Sequence, residues 1–394
     1  MSQVVRTYAC EVRLKTLTPQ QAAKIADGVY QLQDESLETL VRAQTQIGCE
    51  GLFAAAASHR ITGRSGVVFK PISGFGYLTE GVDAHQGELL CVSRGTASLV
   101  DYLSDFNVGL KPGPGSRYVH AGFRDTWDTT AKQIREYLKG RNPSRIHCVG
   151  HSLGGALAML NADYFTALKI APVSVYTFGC PRVGTEWFAD SLTERVGAAN
   201  IFRLSHIADP VAMLPMFPFA HAPSGGDEYI VGARTLCPVS FGAHKMKDSY
   251  VELLKKERGW EVLRAGPDVM SDTEINEWLH ATSNGDRVQM YSAQAFREIG
   301  RVLGWLLKQA FTIVGVSATV GFTLLDRIAW LIEQAIKISV RFATYVTAMI
   351  RAIMKFLGRA AVTGQELTVE FLRWVLGTLS RTVNGMARAA IRAL

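Results

Sequence analysis

Residues 147–160 read HCVGHSLGGALAML. An apolar run leads into Ser152, Gly150 and Gly154 flank it two positions away on either side, and small apolar residues follow. A serine hydroxyl is a poor nucleophile at neutral pH, and becomes a good one when a neighbouring base takes its proton. The two glycines make physical sense on a sharp turn, where they leave room for an exposed serine with a helix packed close behind it. RIHCV before the turn reads as a strand and LGGALAMLNADYF after it as a helix, which is the setting such an elbow needs. Isolated G-x-S-x-G matches are frequent by chance, so the flanking pattern carries the reading of Ser152 as a nucleophile.

Outward from the elbow the same alternation repeats. A helical pattern opens at Thr18-Pro19 and runs to about Ala43; ELLCVSRGT is a buried strand entering a loop. Helices follow near 121–139, 153–169 and 185–196, separated by the strand patterns RIHCVG, VSVYTFGCPRVG and NIFRLSHIADP. This predicts an α/β fold with a mostly parallel central sheet covered on both faces and function at the carboxyl ends of its strands.

A serine nucleophile needs a histidine, and the histidine a carboxylate to orient it. On such a fold they follow in the order Ser, acid, His. Asp209, in FRLSHIADPVAMLP, ends a strand pattern with Pro210 breaking the chain behind it. Downstream lie His221, His244 and His280; His244 stands in a loop before a helix-like stretch, His221 in PFAHAPSGGDEYI is its rival, and His280 falls past the hydrolase pattern. His206 precedes the acid and reads as a structural hydrogen-bonding residue. A developing oxyanion needs two fixed donors. The backbone N–H of Leu153 is one candidate and Thr96, in the loop after the ELLCVS strand, the other, although Thr96 also reads as a cap for the helix that follows.

Between that loop and residue 119, Leu99, Tyr102, Leu103 and Phe106 recur at i, i+3, i+4 and i+7, opposite Ser98, Asp101, Ser104 and Asp105. This is a short amphipathic helix.

The chain has 394 residues, room for one large domain or a large one with a smaller companion. Its formal net charge of +7 is uneven: residues 301–394 hold twelve Lys/Arg and four Asp/Glu, so the rest is close to neutral. Residues 309–325 are uncharged and read as either a buried helix or a short membrane span. Beyond them, Glu333, Lys337, Arg341, Arg351, Lys355 and Arg359 fall in one narrow wedge if the segment is a single helix. Glu366, Glu370, Arg373, Arg381, Arg388 and Arg392 do the same for residues 364–394. Such helices need a bundle, an anionic membrane surface or a partner protein to cover their apolar sides. The apolar character of this basic region excludes the usual nucleic-acid arm.

The six cysteines are scattered, without metal-binding spacing, and read as free thiols. His147 and His151 flank the elbow and do not share a helix face, so no metal is expected, and no cofactor motif is present. MSQVVRTYACEVRLKTLTPQQ is not an ordinary secretory signal peptide.

CVSRGTASLVDYLSDFNV, VHAGF at 119–123, VGHSLGGALA, YTFGCPRVG, DPVAMLP and the late His244 together resemble the class 3 lipase family. The resemblance spans roughly residues 20–255. It implies an α/β-hydrolase that cleaves acyl esters of glycerides or glycerophospholipids, with Ser152 as nucleophile, Asp209 as acid, His244 as base and Thr96 at the oxyanion hole. It also implies that the helix near 98–108 is a lid. Two positions depart from the family pattern: Tyr102 stands where many members carry Trp, and the spacing from His244 to Tyr250 is altered. The expectation is a hydrolase domain over 1–290 and an amphipathic, membrane-associating helical region over 291–394. The substrate expected is glycerophospholipid in an anionic bilayer, with triacylglycerol lipase or carboxylesterase activity as the alternative, and a membrane-permeabilising or partner-binding protein as the alternative outside enzymes. A lipase joined to such a tail, without a signal peptide, is similar to bacterial type VI secretion effectors. That similarity implies synthesis in the bacterial cytoplasm, signal-peptide-independent export, and an immunity or chaperone protein as partner.

Overall fold

The computed structural model describes residues 16–33, 52–54, 58–64, 73–96, 109–232, 237–267, 270–283, 288–315, 324–360 and 367–392. Eight strands form the main sheet in simple spatial succession: β1 (His59–Gly63), β2 (Ser73–Glu80), β3 (Glu88–Ser93), β4 (Arg145–His151), β5 (Val173–Phe178), β6 (Ile201–His206), β7 (Asp227–Val231) and β8 (Ala265–Pro267). The pairs from β3 to β7 are parallel, and the outer pairs are antiparallel. Short strands at 110–112, 118–120, 184–185 and 219–220 make a second, small sheet.

Strands β3 and β5 are buried along their whole length, as expected of unbroken apolar runs in the middle of a parallel sheet. The two-residue period then sorts their side chains onto two faces. Leu89, Cys91, Ile146, Cys148, Val173 and Val175 join one apolar cluster, Leu90, Val92, Val149, Tyr176 and Phe178 the other. The crossover helices α2 (Ala121–Leu138), α3 (Leu153–Ala167) and α4 (Glu186–Val196) all feed the first cluster. The second is covered by α1 (Pro19–Gly28), where Thr18 and Gln21 form a capping box, and by Trp260. Helix α1 is shorter than its sequence pattern suggested, giving way at Val29 to a 3₁₀ turn through Gln33.

The elbow joins β4 to α3. A Cβ on Gly150 would lie 2.1 Å from the Gly154 carbonyl oxygen, and one on Gly154 2.1 Å from the Ser93 carbonyl oxygen. Strand, turn and helix are therefore in backbone contact. Gly154→Ala is expected to destabilise the protein by about 3 kcal/mol, the scale of an overpacked core, read as a lower denaturant midpoint. An unchanged midpoint would mean that the backbone contact relaxes freely.

The C-terminal third is helical: α5 (Asp272–Ser283), α6 (Ala293–Val314), α7 (Leu324–Ile338), α8 (Val340–Phe356) and α9 (Val369–Arg392). Helix α6 packs on α7 and α8, and α9 on α7 and α8. Their apolar faces, including Ile299, Leu306, Ile332, Ile353 and Val383, belong to the same buried cluster as α2–α4. Lys337, Arg341, Arg351, Lys355, Arg373 and Arg381 face outward and are exposed.

Two features differ from the sequence expectation. The segment read as one helix through Glu333 and Arg359 is broken at Ser339, whose extended backbone and hydroxyl cap the start of α8 by accepting from the Phe342 N–H. The uncharged run 309–325 is interrupted by Gly315, which ends α6 in the left-handed conformation. Among the described residues no helix is long and apolar enough to cross a membrane. Cys91, Cys148, Cys180 and Cys237 are free; Cys10 and Cys49 lie outside the described residues.

Candidate active site

Ser152 takes φ 58° and ψ −129°, a backbone conformation that costs a non-glycine residue about 1–3 kcal/mol. The elbow holds it there: the Ser152 N–H donates to the Phe178 carbonyl at 3.0 Å, and its own carbonyl accepts from Gly155 at 3.0 Å. The hydroxyl is thereby aimed at His244, with Ser152 Oγ 2.8 Å from Nε2. His244 Nδ1 lies 2.8 Å from Asp209 Oδ2. An ionised carboxylate only accepts, so Nδ1 carries the proton and Nε2 is free to receive one from Ser152. All three residues are fully buried.

Asp209 is held by more than its histidine. Its Oδ1 accepts from the Val211 N–H at 2.8 Å, and its Oδ2 from the Tyr250 hydroxyl at 2.7 Å. Burial alone would raise its pKa; the charge of His244 and these hydrogen bonds outweigh it and hold the carboxyl below its ordinary value. Tyr250 is fixed in turn by accepting from the His206 N–H at 2.9 Å. Tyr250 lies on a π-helical turn, Met246–Val251, which follows His244 and brings the tyrosine hydroxyl to Asp209. Gly179, at φ 53°, makes space for the pair, since a Cβ there would lie 2.6 Å from Asp209 Oδ2.

His151, next to the nucleophile, supports the base from behind. Its Nε2–H donates to the His244 carbonyl at 2.8 Å, and its Nδ1 accepts from the Tyr30 hydroxyl at 2.6 Å. Burial and the neighbouring His244 push its pKa down to about 3. In the unfolded chain it titrates near 6.5, so between those values the unfolded state binds more protons, and stability falls as pH is lowered through the window. The denaturation midpoint is expected to drop with acidification from pH 6.5, more steeply in the wild type than in His151→Gln. Equal slopes would remove His151 as a cause.

Leu153 opens α3 directly after Ser152, so its N–H has no carbonyl within the helix to bond. Thr96 follows β3 beside it: a Cβ on the preceding Gly95 would lie 3.1 Å from Ser152 Cβ and 2.3 Å from the Tyr30 hydroxyl. Leu99, Tyr102, Leu103 and Phe106, expected from the sequence to form a lid, lie outside the described residues.

Of the rival histidines, His221 donates from Nε2 to the Ala212 carbonyl at 2.8 Å, and His280 is exposed on α5. His206 Nδ1 accepts from the Ala208 N–H at 3.1 Å, a loop-shaping bond. The C-terminal helices reach the site: α9 packs against the 3₁₀ turn Gly242–His244 and against the turn Val211–Met213 behind Asp209. Arg297 of α6 ties that region to the sheet, bonding Glu228 at 3.0 Å and Ser205 Oγ at 2.7 Å. Sequence reading noted Tyr250 only by its spacing from His244 and not as a partner of the acid, and it missed Tyr30 and Gly179, the latter visible as the first glycine of YTFGCPRVG.

A strand–turn–helix elbow over a parallel sheet, with a Ser–His–Asp hydrogen-bonded chain above it, defines an arrangement of the α/β-hydrolase class. Residues 90–219 match the family model for lipase (class 3), a stretch that takes in Thr96, Ser152 and Asp209 and stops before His244. The chain is 33% identical over 159 residues to secreted mono- and diacylglycerol lipase 1 of Fusarium solani, covering 38% of this chain and 46% of that one. Against lipase A of Sodiomyces alcalophilus it is 35% identical over 135 residues, 30% and 32% of the two chains. It thus spans about half or less of the length of these curated relatives. Among solved structures, the lipase of Rhizopus microsporus var. chinensis is similar with TM-score 0.40 and 23% identity, over 54% of this chain and 73% of that one.

Proposed function

We propose that the protein is a serine ester hydrolase of glycerolipids, acting on glycerophospholipids at a membrane surface in the manner of a phospholipase A. The observation that carries this reading is the fully buried chain Ser152–His244–Asp209, with both links at 2.8 Å, beside the Leu153 amide and the Thr96 loop. Ser152 Oγ attacks the acyl carbonyl as His244 Nε2 takes its proton; the resulting oxyanion is held by the Leu153 N–H and by Thr96. His244 then returns the proton to the leaving alcohol, leaving an acyl-enzyme on Ser152. Water, deprotonated by the same nitrogen, releases the fatty acid. Asp209 keeps Nδ1 protonated throughout and stabilises the imidazolium.

The phospholipid preference rests on the exposed basic residues of α7–α9, a bundle whose helix α9 packs against the turn bearing His244, where anionic headgroups would gather. The amphipathic sequence pattern of Leu99, Tyr102, Leu103 and Phe106 suits the same substrate. Similarity to secreted mono- and diacylglycerol lipases favours a second reading, mono- or diacylglycerol as substrate. Fatty-acid release from a mixed-chain anionic phospholipid, compared with diacylglycerol and triacylglycerol at equal surface concentration, separates them. Faster release from phospholipid supports our reading; release from acylglycerols alone overturns it and leaves the esterase.

The same proposal includes synthesis in a bacterial cytoplasm, export as an antibacterial effector, and an immunity or chaperone protein that covers the site or the helices. It rests on the similarity of a lipase with an appended basic helical region to such effectors. Growth arrest on periplasmic expression of wild type, and not of Ser152→Ala, is the expected result; growth unaffected by either contradicts it.

A further inference from the structure

On the face of the sheet covered by α1, at the end away from Ser152, three ionisable side chains converge. Glu88 opens β3, His147 stands on the adjacent β4, and His85 lies on the turn between β2 and β3. Glu88 Oε2 is 2.6 Å from His85 Nδ1 and 2.8 Å from His147 Nε2. One donor atom from each lies within 4.8 Å of the other two, and all three residues are buried. We propose that His85, Glu88 and His147 form a binding site for a divalent transition metal ion of the zinc type.

The donor set is the first reason. Two imidazole nitrogens and one carboxylate oxygen suit Zn²⁺ with a fourth position left to water. Charge is the second. Glu88 is a buried carboxyl whose Oε2 is met by an imidazole nitrogen on each side. Among the described residues, the ion pairs of Glu88 are with these two imidazoles and with no Lys or Arg. The nearby Arg145 bonds Ser174 Oγ at 2.8 Å instead. A buried carboxylate flanked by two imidazoles and by no Lys or Arg is stabilised by a dication placed among the three.

Each neutral imidazole would keep its proton and move it to the far nitrogen. For His147 that is Nδ1, which faces the Tyr176 hydroxyl oxygen at 3.3 Å, an outer partner of the kind that orients metal-bound histidines. Phe53 stacks on His85 with ring centroids 5.2 Å apart, walling the site with apolar surface. Tetrahedral zinc with bonds near 2.1 Å spaces its donors about 3.4 Å apart, so the two contacts to Glu88 must lengthen by about 0.6–0.8 Å. His85 can supply that movement, because its turn is exposed at Asp83, Ala84, Gln86 and Gly87. The ion would tie this turn to β4, the strand that ends at the nucleophile. It is structural and takes no part in ester cleavage.

The test is titration of the chelator-treated full-length protein with Co²⁺, followed by visible absorption, and with Zn²⁺, followed by calorimetry and thermal melting. We expect one ion per chain, a tetrahedral Co²⁺ spectrum and a higher Tm with Zn²⁺. Glu88→Gln and His85→Asn should abolish the spectrum, and Tyr176→Phe should weaken affinity about tenfold. Ser152 labelling by a phosphonate verifies that each variant is folded. Absence of Co²⁺ absorption and of Zn²⁺ heat in wild type, or binding that survives Glu88→Gln and His85→Asn, overturns the proposal.

Discussion

Ser152→Ala is expected to lower kcat for ester hydrolysis by about 10⁶-fold, because members of such a chain act as one unit and the loss of the nucleophile removes all of it. The substitution deletes one oxygen, whose bond is to His244 at 2.8 Å, and leaves the elbow bonds to Phe178 and Gly155 in place. The fold should therefore survive. Initial rates on a soluble short-chain ester, beside a melting curve, read both effects. Turnover within a hundredfold of wild type would mean that another group attacks.

Asp209→Asn is the second large effect, a loss of about 10⁴-fold in kcat. The carboxylate accepts from His244 Nδ1, from the Tyr250 hydroxyl and from the Val211 N–H. An amide presents two hydrogens to that surrounding, and the one facing His244 forces the imidazole to accept at Nδ1 and protonate Nε2. The base is then unable to take the serine proton. Because Asp209 is depressed in the fold, its ionisation stabilises the wild type above the ordinary carboxyl range, and that contribution is lost as pH falls through the folded value. The variant should show less of this acid sensitivity. A kcat near wild type with unchanged pH dependence would detach Asp209 from His244.

Much of this arrangement was legible in the chain. Ser152, Asp209 and His244 are each marked by local chemistry, a glycine-framed elbow, a proline-broken strand end and a loop before a helix, and the structure brings the three together. The parallel sheet followed from unbroken apolar runs between helical ones. What escaped reading depends on register or on non-helical turns. Tyr250 reaches Asp209 through a π-helical turn that periodicity does not encode. Glu88 meets His147 because β3 and β4 pair with Glu88 opposite Arg145, and sequence spacing between 88 and 147 carries no hint of it. The break at Ser339 was hidden because the charges on either side stay in phase for a continuous helix.

The central claim is that Ser152 is the nucleophile of an ester hydrolase driven by His244 and Asp209. Intact mass and peptide mapping after reaction with a long-chain alkyl phosphonate ester test it most directly. The account predicts one adduct per chain, on Ser152, absent from Ser152→Ala and slowed in Asp209→Asn. An adduct on another residue, or ester turnover that persists with Ser152 unlabelled, would contradict it.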